Sequence, residues 1–87
     1  MKSVIRKGSK LSKELSYRVI FKPEPEGGFT VTVPALPGCV TYGATLEEAG
    51  AMARDAVEAY LHSLKKHGEP IADDSATLES QLIVHHV

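Results

Sequence analysis

The sequence predicts a two-layer α+β domain in the order β-β-β-α-β. Three observations carry the prediction. Two apolar–polar alternations, YRVIFK from Tyr17 and FTVTV from Phe29, flank the turn-forming stretch PEPEGG. A long segment after Thr45 repeats its apolar residues at helical spacing and has start and stop signals at its ends. A short apolar run, Leu82-Ile83-Val84, follows a polar connection near the C-terminus.

Residues 1–14 show no sustained period and read as a basic N-terminal arm, which leaves residues 15–87 for the folded domain. In YRVIFK, Tyr17, Val19 and Phe21 fall on one face and Arg18, Ile20 and Lys22 on the other, the signature of a strand with one buried side. PEPEGG supplies turn chemistry, so this strand and the next should form an antiparallel hairpin. In FTVTV, Phe29, Val31 and Val33 face inward while Thr30 and Thr32 face out. Val40 and Tyr42 suggest a third short strand.

The helix has the fullest local signature. Thr45 followed by Glu48 forms a capping box, in which the hydroxyl accepts from the Glu48 amide and the carboxylate reaches back toward the Thr45 amide. Leu46, Ala49, Ala53, Ala56, Val57, Tyr60, Leu61 and Leu64 then make an apolar stripe. Acids lead and bases trail, as the helix dipole favours. Gly68 can end the helix and Pro70 forbids its continuation. The alanines along the stripe allow a close approach to a sheet. EPIADDSATLE reads as a polar, mobile-looking connection. SQLIVHHV reads as a final strand covered on both faces. A right-handed crossover would set it parallel to, and beside, the first strand.

Composition narrows the function classes. At 87 residues the chain is one small domain, of a size that buries only about 60–65% of its unfolded surface. Short strands with open edges favour a homodimer or tetramer. The single cysteine cannot close an internal disulfide, which suits a cytoplasmic location. No apolar run approaches the length of about 18 residues that a membrane span needs, so no membrane partner is expected. The near-neutral total of −1 hides an asymmetry. Residues 1–22 hold Lys2, Arg6, Lys7, Lys10, Lys13, Arg18 and Lys22 against Glu14, and the remainder carries a matching acidic excess. Such an arm suits phosphate backbones, an acidic partner surface or simply solvent.

The stretch VPALPGCVTYG raises the question of a catalytic thiol. Local rules explain it as a corner instead. Pro34 ends a strand because it lacks an amide donor. Pro37 and Gly38 fit the central positions of a type II turn leading into Cys39. A nucleophilic Cys39 would need a neighbouring base and a depressed pKa, yet histidines occur only at His62, His67, His85 and His86. Adjacent strand residues His85 and His86 point to opposite faces, and His62 and His67 do not share a helix face. No metal, cofactor or enzymatic activity is expected.

The run GGFTVTVPALPGCVTYGATLEEAGAMARDAVEAYL, followed by GEPI, resembles the N-terminal domain of HicB-type antitoxins. The match lies at Gly28-Phe29, Pro34, Leu36 to Cys39, Gly43, Thr45 and Glu47 to Ala49, then at Ala53, Ala56 and Leu61, with Gly68, Glu69 and Pro70 behind the helix. The resemblance implies a truncated ribonuclease-H-like fold without nuclease chemistry, in a solitary form lacking the C-terminal DNA-binding segment usual in longer members. It also implies a small protein partner, a HicA-type mRNA-cleaving ribonuclease toxin. Partner-binding positions are then expected at Arg18, Lys22, Glu24, Glu26, Thr30, Thr32, Glu47 and Glu48. The alternative is nucleic-acid binding through Lys2, Arg6, Lys7, Lys10 and Lys13. In both readings Pro34, Pro37, Gly38 and Cys39 are structural.

Overall fold

A computed structural model describes residues 14–86. It contains strands β1 (Ile20–Pro23), β2 (Phe29–Thr32) and β3 (Val40–Gly43), then helix α1 (Leu46–Lys66). The sheet order is β1-β2-β3, antiparallel throughout. Ile20 pairs with Thr32 and Lys22 with Thr30 across the first ladder, and Thr30 pairs with Tyr42 and Thr32 with Val40 across the second. The ladder starts at Ile20, later than the Tyr17 start that the alternation predicts. Tyr17 and Val19 nevertheless pack against the core as expected.

Helix α1 covers one face of this sheet. Thr45 caps it by accepting from the Glu48 amide at 3.0 Å. The Glu48 carboxylate returns to the Ala44 amide at 2.9 Å, one residue earlier than the expected Thr45 amide. At the other end the amides of Gly68 and Glu69 donate to the carbonyls of Lys65 and Leu64, the paired bonds of a Schellman motif. Ala49 and Ala53 bury against Val31, with Val19, Phe21 and Phe29 around them. Their small side chains permit close contact, and Gly43 permits more. A Cβ at Gly43 would lie 2.3 Å from the Ala49 backbone nitrogen, so any side chain there would drive helix and strand apart.

A second cluster is built by the corner between β2 and β3. Val33, Leu36 and Cys39 are buried beneath Tyr17, Ala56, Val57, Tyr60 and Leu61. The Leu36 carbonyl accepts from the Cys39 amide at 2.9 Å, with Gly38 at φ +82°, as a type II turn requires. The Tyr60 hydroxyl donates to the Pro37 carbonyl at 2.8 Å and ties the helix to the turn.

The C-terminal segment departs from expectation. The predicted fourth strand over SQLIVHHV is not formed among the described residues, so the observed order is β-β-β-α. Leu78, Leu82, Ile83 and Val84 stand 94, 86, 78 and 71% exposed. The apolar run has the composition of a covered strand, but nothing in the single chain covers it. The preceding connection is also not the loose linker its composition suggests. Asp74 is buried, and its amide donates to the Ser16 carbonyl at 2.9 Å.

Candidate protein-interaction surface

Strand alternation puts Ile20, Lys22, Thr30, Thr32, Val40 and Tyr42 on the sheet face that α1 does not cover. The register aligns them in two rows, Ile20–Thr32–Val40 and Lys22–Thr30–Tyr42. Ile20, Val40 and Tyr42 are 47, 56 and 51% exposed. Their neighbours are partly fixed. Thr30 donates to the Glu24 carboxylate at 2.6 Å, and the Tyr42 hydroxyl donates to the Gly27 carbonyl at 2.9 Å, which lays the ring across the hairpin turn. The surface therefore offers two aliphatic groups and an oriented aromatic ring over a threonine floor.

The same register gathers the acids. Pro23, Phe29 and Gly43 align at one end of the sheet. The hairpin turn carrying Glu24 and Glu26 and the start of α1 carrying Glu47 and Glu48 therefore both lie at that end. Glu48 is partly committed to its cap, while Glu26 and Glu47 face solvent.

Of the eight expected partner-binding positions, Lys22, Thr30 and Thr32 lie on the open face and the four glutamates at its acidic end. Arg18 is engaged within the chain. Its Nε lies 3.1 Å from Asp74 Oδ2 and its Nη1 3.2 Å from Glu79 Oε1. Its amide also donates to Asp74 at 3.1 Å. The Thr77 hydroxyl first, and the Arg18 amide next, hold the Asp74 carboxyl below its ordinary value. The Tyr17 hydroxyl donates to the Ala72 carbonyl. Burial, aided by the Asp73 and Asp74 carboxylates, raises the Tyr17 phenol. These contacts form a latch that holds residues 72–79 beside Ser16 to Arg18. Sequence reasoning set Ile20 outward with Lys22, as found, but missed both the latch and the outward aim of Val40 and Tyr42. The period-2 pattern contained the latter, since Val40 and Tyr42 alternate with Thr41.

Cys39 is a core side chain. It is buried, and burial pushes its thiol up from the ordinary value, opposite to what a nucleophile needs. Among the described residues no group of three or more His, Cys, Asp and Glu side chains is placed to hold a metal ion, and no helix is long and apolar enough to cross a membrane. Lys2, Arg6, Lys7, Lys10 and Lys13, the positions of the nucleic-acid alternative, lie outside the described residues.

Comparison with known proteins gives the surface its context. Residues 17–84 match the family model described as HicB_like antitoxin of bacterial toxin-antitoxin system. The chain is 44% identical over 71 residues to UPF0150 protein Ta0767 of Thermoplasma acidophilum, covering 82% of this chain and 99% of that one. It is 36% identical over 56 residues to UPF0150 protein ssr1765 of Synechocystis, covering 64% and 71% of the two chains. A further relative, Antitoxin HicB 1 of Photorhabdus laumondii, is 44% identical over 45 residues, which are 52% of this chain and 29% of that longer protein. The matched span takes in all three strands, the corner and the whole of α1, and on this evidence the chain belongs to the HicB-like antitoxin family.

Proposed function

We propose that this chain binds a HicA-type mRNA-cleaving ribonuclease toxin and neutralises it by docking, without catalysis of its own. The observation that carries the reading is the uncovered sheet face within the span that matches an antitoxin family. Ile20, Val40 and Tyr42 supply the apolar and aromatic centre that protein interfaces favour. Lys22, Thr30 and Thr32 supply polar register around it. Glu24, Glu26, Glu47 and Glu48 complement the basic surface with which a ribonuclease holds RNA, raising the association rate and excluding that RNA. Arg18 is given a different role, as the cation of the C-terminal latch.

The test is titration of a HicA-type ribonuclease with the wild-type chain and with Val40→Arg, read as residual RNA cleavage and as binding by calorimetry. Val40 is already exposed, so the charge should leave folding intact and abolish inhibition. The same proteins are titrated with a random DNA duplex at two salt concentrations. Inhibition that persists in Val40→Arg removes the open face from the reading. Tight, steeply salt-dependent duplex binding with no affinity for the toxin replaces the reading with the nucleic-acid one.

A further inference from the structure

β3 presents backbone groups as well as side chains. The Val33 amide donates to the Cys39 carbonyl at 3.1 Å, and this pair continues the register of Thr32 with Val40. Bonded and non-bonded pairs alternate along an antiparallel ladder. Val31–Thr41 and Phe29–Gly43 are therefore bonded pairs, and the backbone groups of Val40 and Tyr42 point away from β2. The first ladder agrees. The Glu24 amide donates to the Gly28 carbonyl at 2.9 Å, so Thr30 and Thr32 turn their backbone groups toward β1.

The two edges of the sheet are built differently. On β1 the outward positions are Phe21 and Pro23, and Pro23 has no amide to donate. Lys22 adds a charge between them, a second common guard of an edge strand. On β3 the outward positions are Val40 and Tyr42, which keep both their amides and their carbonyls. Among the described residues no strand lies along that side of β3. Helix α1 overhangs the same edge. Gly50, Arg54 and Val57 line a groove on the β1 side of the helix. At about 100° per residue, Met52 and Ala59 fall on the opposite flank, beside β3. Met52 is 41% exposed. The exposed acids Glu48 and Asp55 follow on the next strip of the helix, further from the sheet.

We propose that the free edge of β3 takes up an extended strand of the toxin, so that the partner continues the sheet as well as covering its open face. This deepens the toxin reading and rests on it. Backbone bonds to Val40 and Tyr42 fix the register of the incoming strand, and alternate side chains give it specificity. Those turned toward α1 meet Met52 and Ala59 and are apolar. A basic residue at the end of the strand reaches Glu48 and Asp55, in keeping with a partner that binds RNA. Val40 and Tyr42 thus serve the partner twice, by side chain on the face and by backbone at the edge.

The experiment uses the full chain and a HicA-type ribonuclease. Val40→Pro removes the outward amide and sets a ring in the path of an added strand, whereas Val40→Ala trims the side chain and keeps the amide. Neither change touches a bond to β2, so the two variants should agree in circular dichroism and urea midpoint. The Kd for the toxin, by calorimetry, should be roughly thirtyfold or more higher for Val40→Pro than for Val40→Ala. Amide exchange of the wild type by NMR needs no variant, and it decides if Val40→Pro fails to fold. In the free chain Val40 and Tyr42 should exchange fast and Thr41 slowly. With toxin bound, Val40 and Tyr42 should slow roughly a hundredfold or more, while Phe21 on the guarded edge should not change. Equal affinities of the proline and alanine variants, or Val40 and Tyr42 amides that exchange as fast in the complex, overturn the proposal. If Val40→Arg still abolishes inhibition in that case, docking on the open face stands without the added strand. A wild-type chain with no affinity for the toxin overturns the toxin reading and this proposal together.

Discussion

Val31 and Val40 sit on neighbouring strands of the same sheet, on opposite faces, and their surroundings could hardly differ more. Val31 is fully buried under Ala49 and Ala53, whereas Val40 is 56% exposed beside Thr32. Both strands are short and both alternate, so β-propensity does not separate them. The difference is the helix. α1 follows β3 directly and packs across one face, and a second layer for the other face would need a further element or another molecule. A valine, an isoleucine and a tyrosine held on the uncovered face add nothing to the core of the single chain. In the proposed reading they are the surface that meets the partner.

The covered face should be the more fragile, and its weakest point is the corner. Leu36 is 1% exposed and fills the space between the type II turn and Tyr60 and Leu61. Leu36→Ala should cost about 2–5 kcal/mol, the range for emptying a buried leucine site. For a domain of this size that is a large part of the total stability. Urea denaturation followed by circular dichroism measures it. A loss below 1 kcal/mol would mean that the corner is not part of the core.

Most of the covered face was legible before any coordinates, and the reasons are local. The alternation in FTVTV, the Thr45–Glu48 box, the alanine stripe and the Pro37-Gly38 turn each specify geometry within about five residues, and each is found in place. What escaped was non-local. Alternation shows that Val40 and Tyr42 share a face with Ile20 only once the register is known, and it does not say which face the helix takes. Asp74 looks like any acid in a polar linker, because the Arg18 that explains it lies 56 residues away. Leu82-Ile83-Val84 satisfies the composition of a buried strand, but composition does not supply a sheet to cover it, and in the single chain it stays exposed.

The latch adds a pH dependence, since Arg18 pairs with Asp74 and Glu79. The Asp74 carboxyl is held below its ordinary value when folded. The unfolded chain therefore takes up the proton at a higher pH than the folded one does. The stabilisation is present above the ordinary carboxylate range of about 4 and is lost as the pH falls through the depressed folded value. Asp74→Asn keeps the size but removes the charge. Its deficit against wild type in urea midpoint should be largest at pH 7 and shrink by pH 3, with an effect smaller than that of Leu36→Ala. A deficit that is constant from pH 7 to pH 3 would remove Asp74 as the titrating group.

The smallest expected effect is the sharpest check on the two faces, because one chemical change can be made on both. Valine to threonine keeps the shape, preserves β-propensity and adds one hydroxyl. At Val31 that hydroxyl is buried against Ala49 and Ala53, which present only methyl groups, and Val31→Thr should cost about 1–3 kcal/mol. At Val40 the hydroxyl meets water and the Thr32 side chain across the ladder. Val40→Thr should stay within about 0.5 kcal/mol of wild type. The pair is measured by urea denaturation of both variants at low protein concentration, where each chain stands alone. Equal losses at the two positions would mean that something covers Val40 in the folded chain. A neutral Val40→Thr that nonetheless weakens toxin binding would tie the open face to the partner and not to the fold.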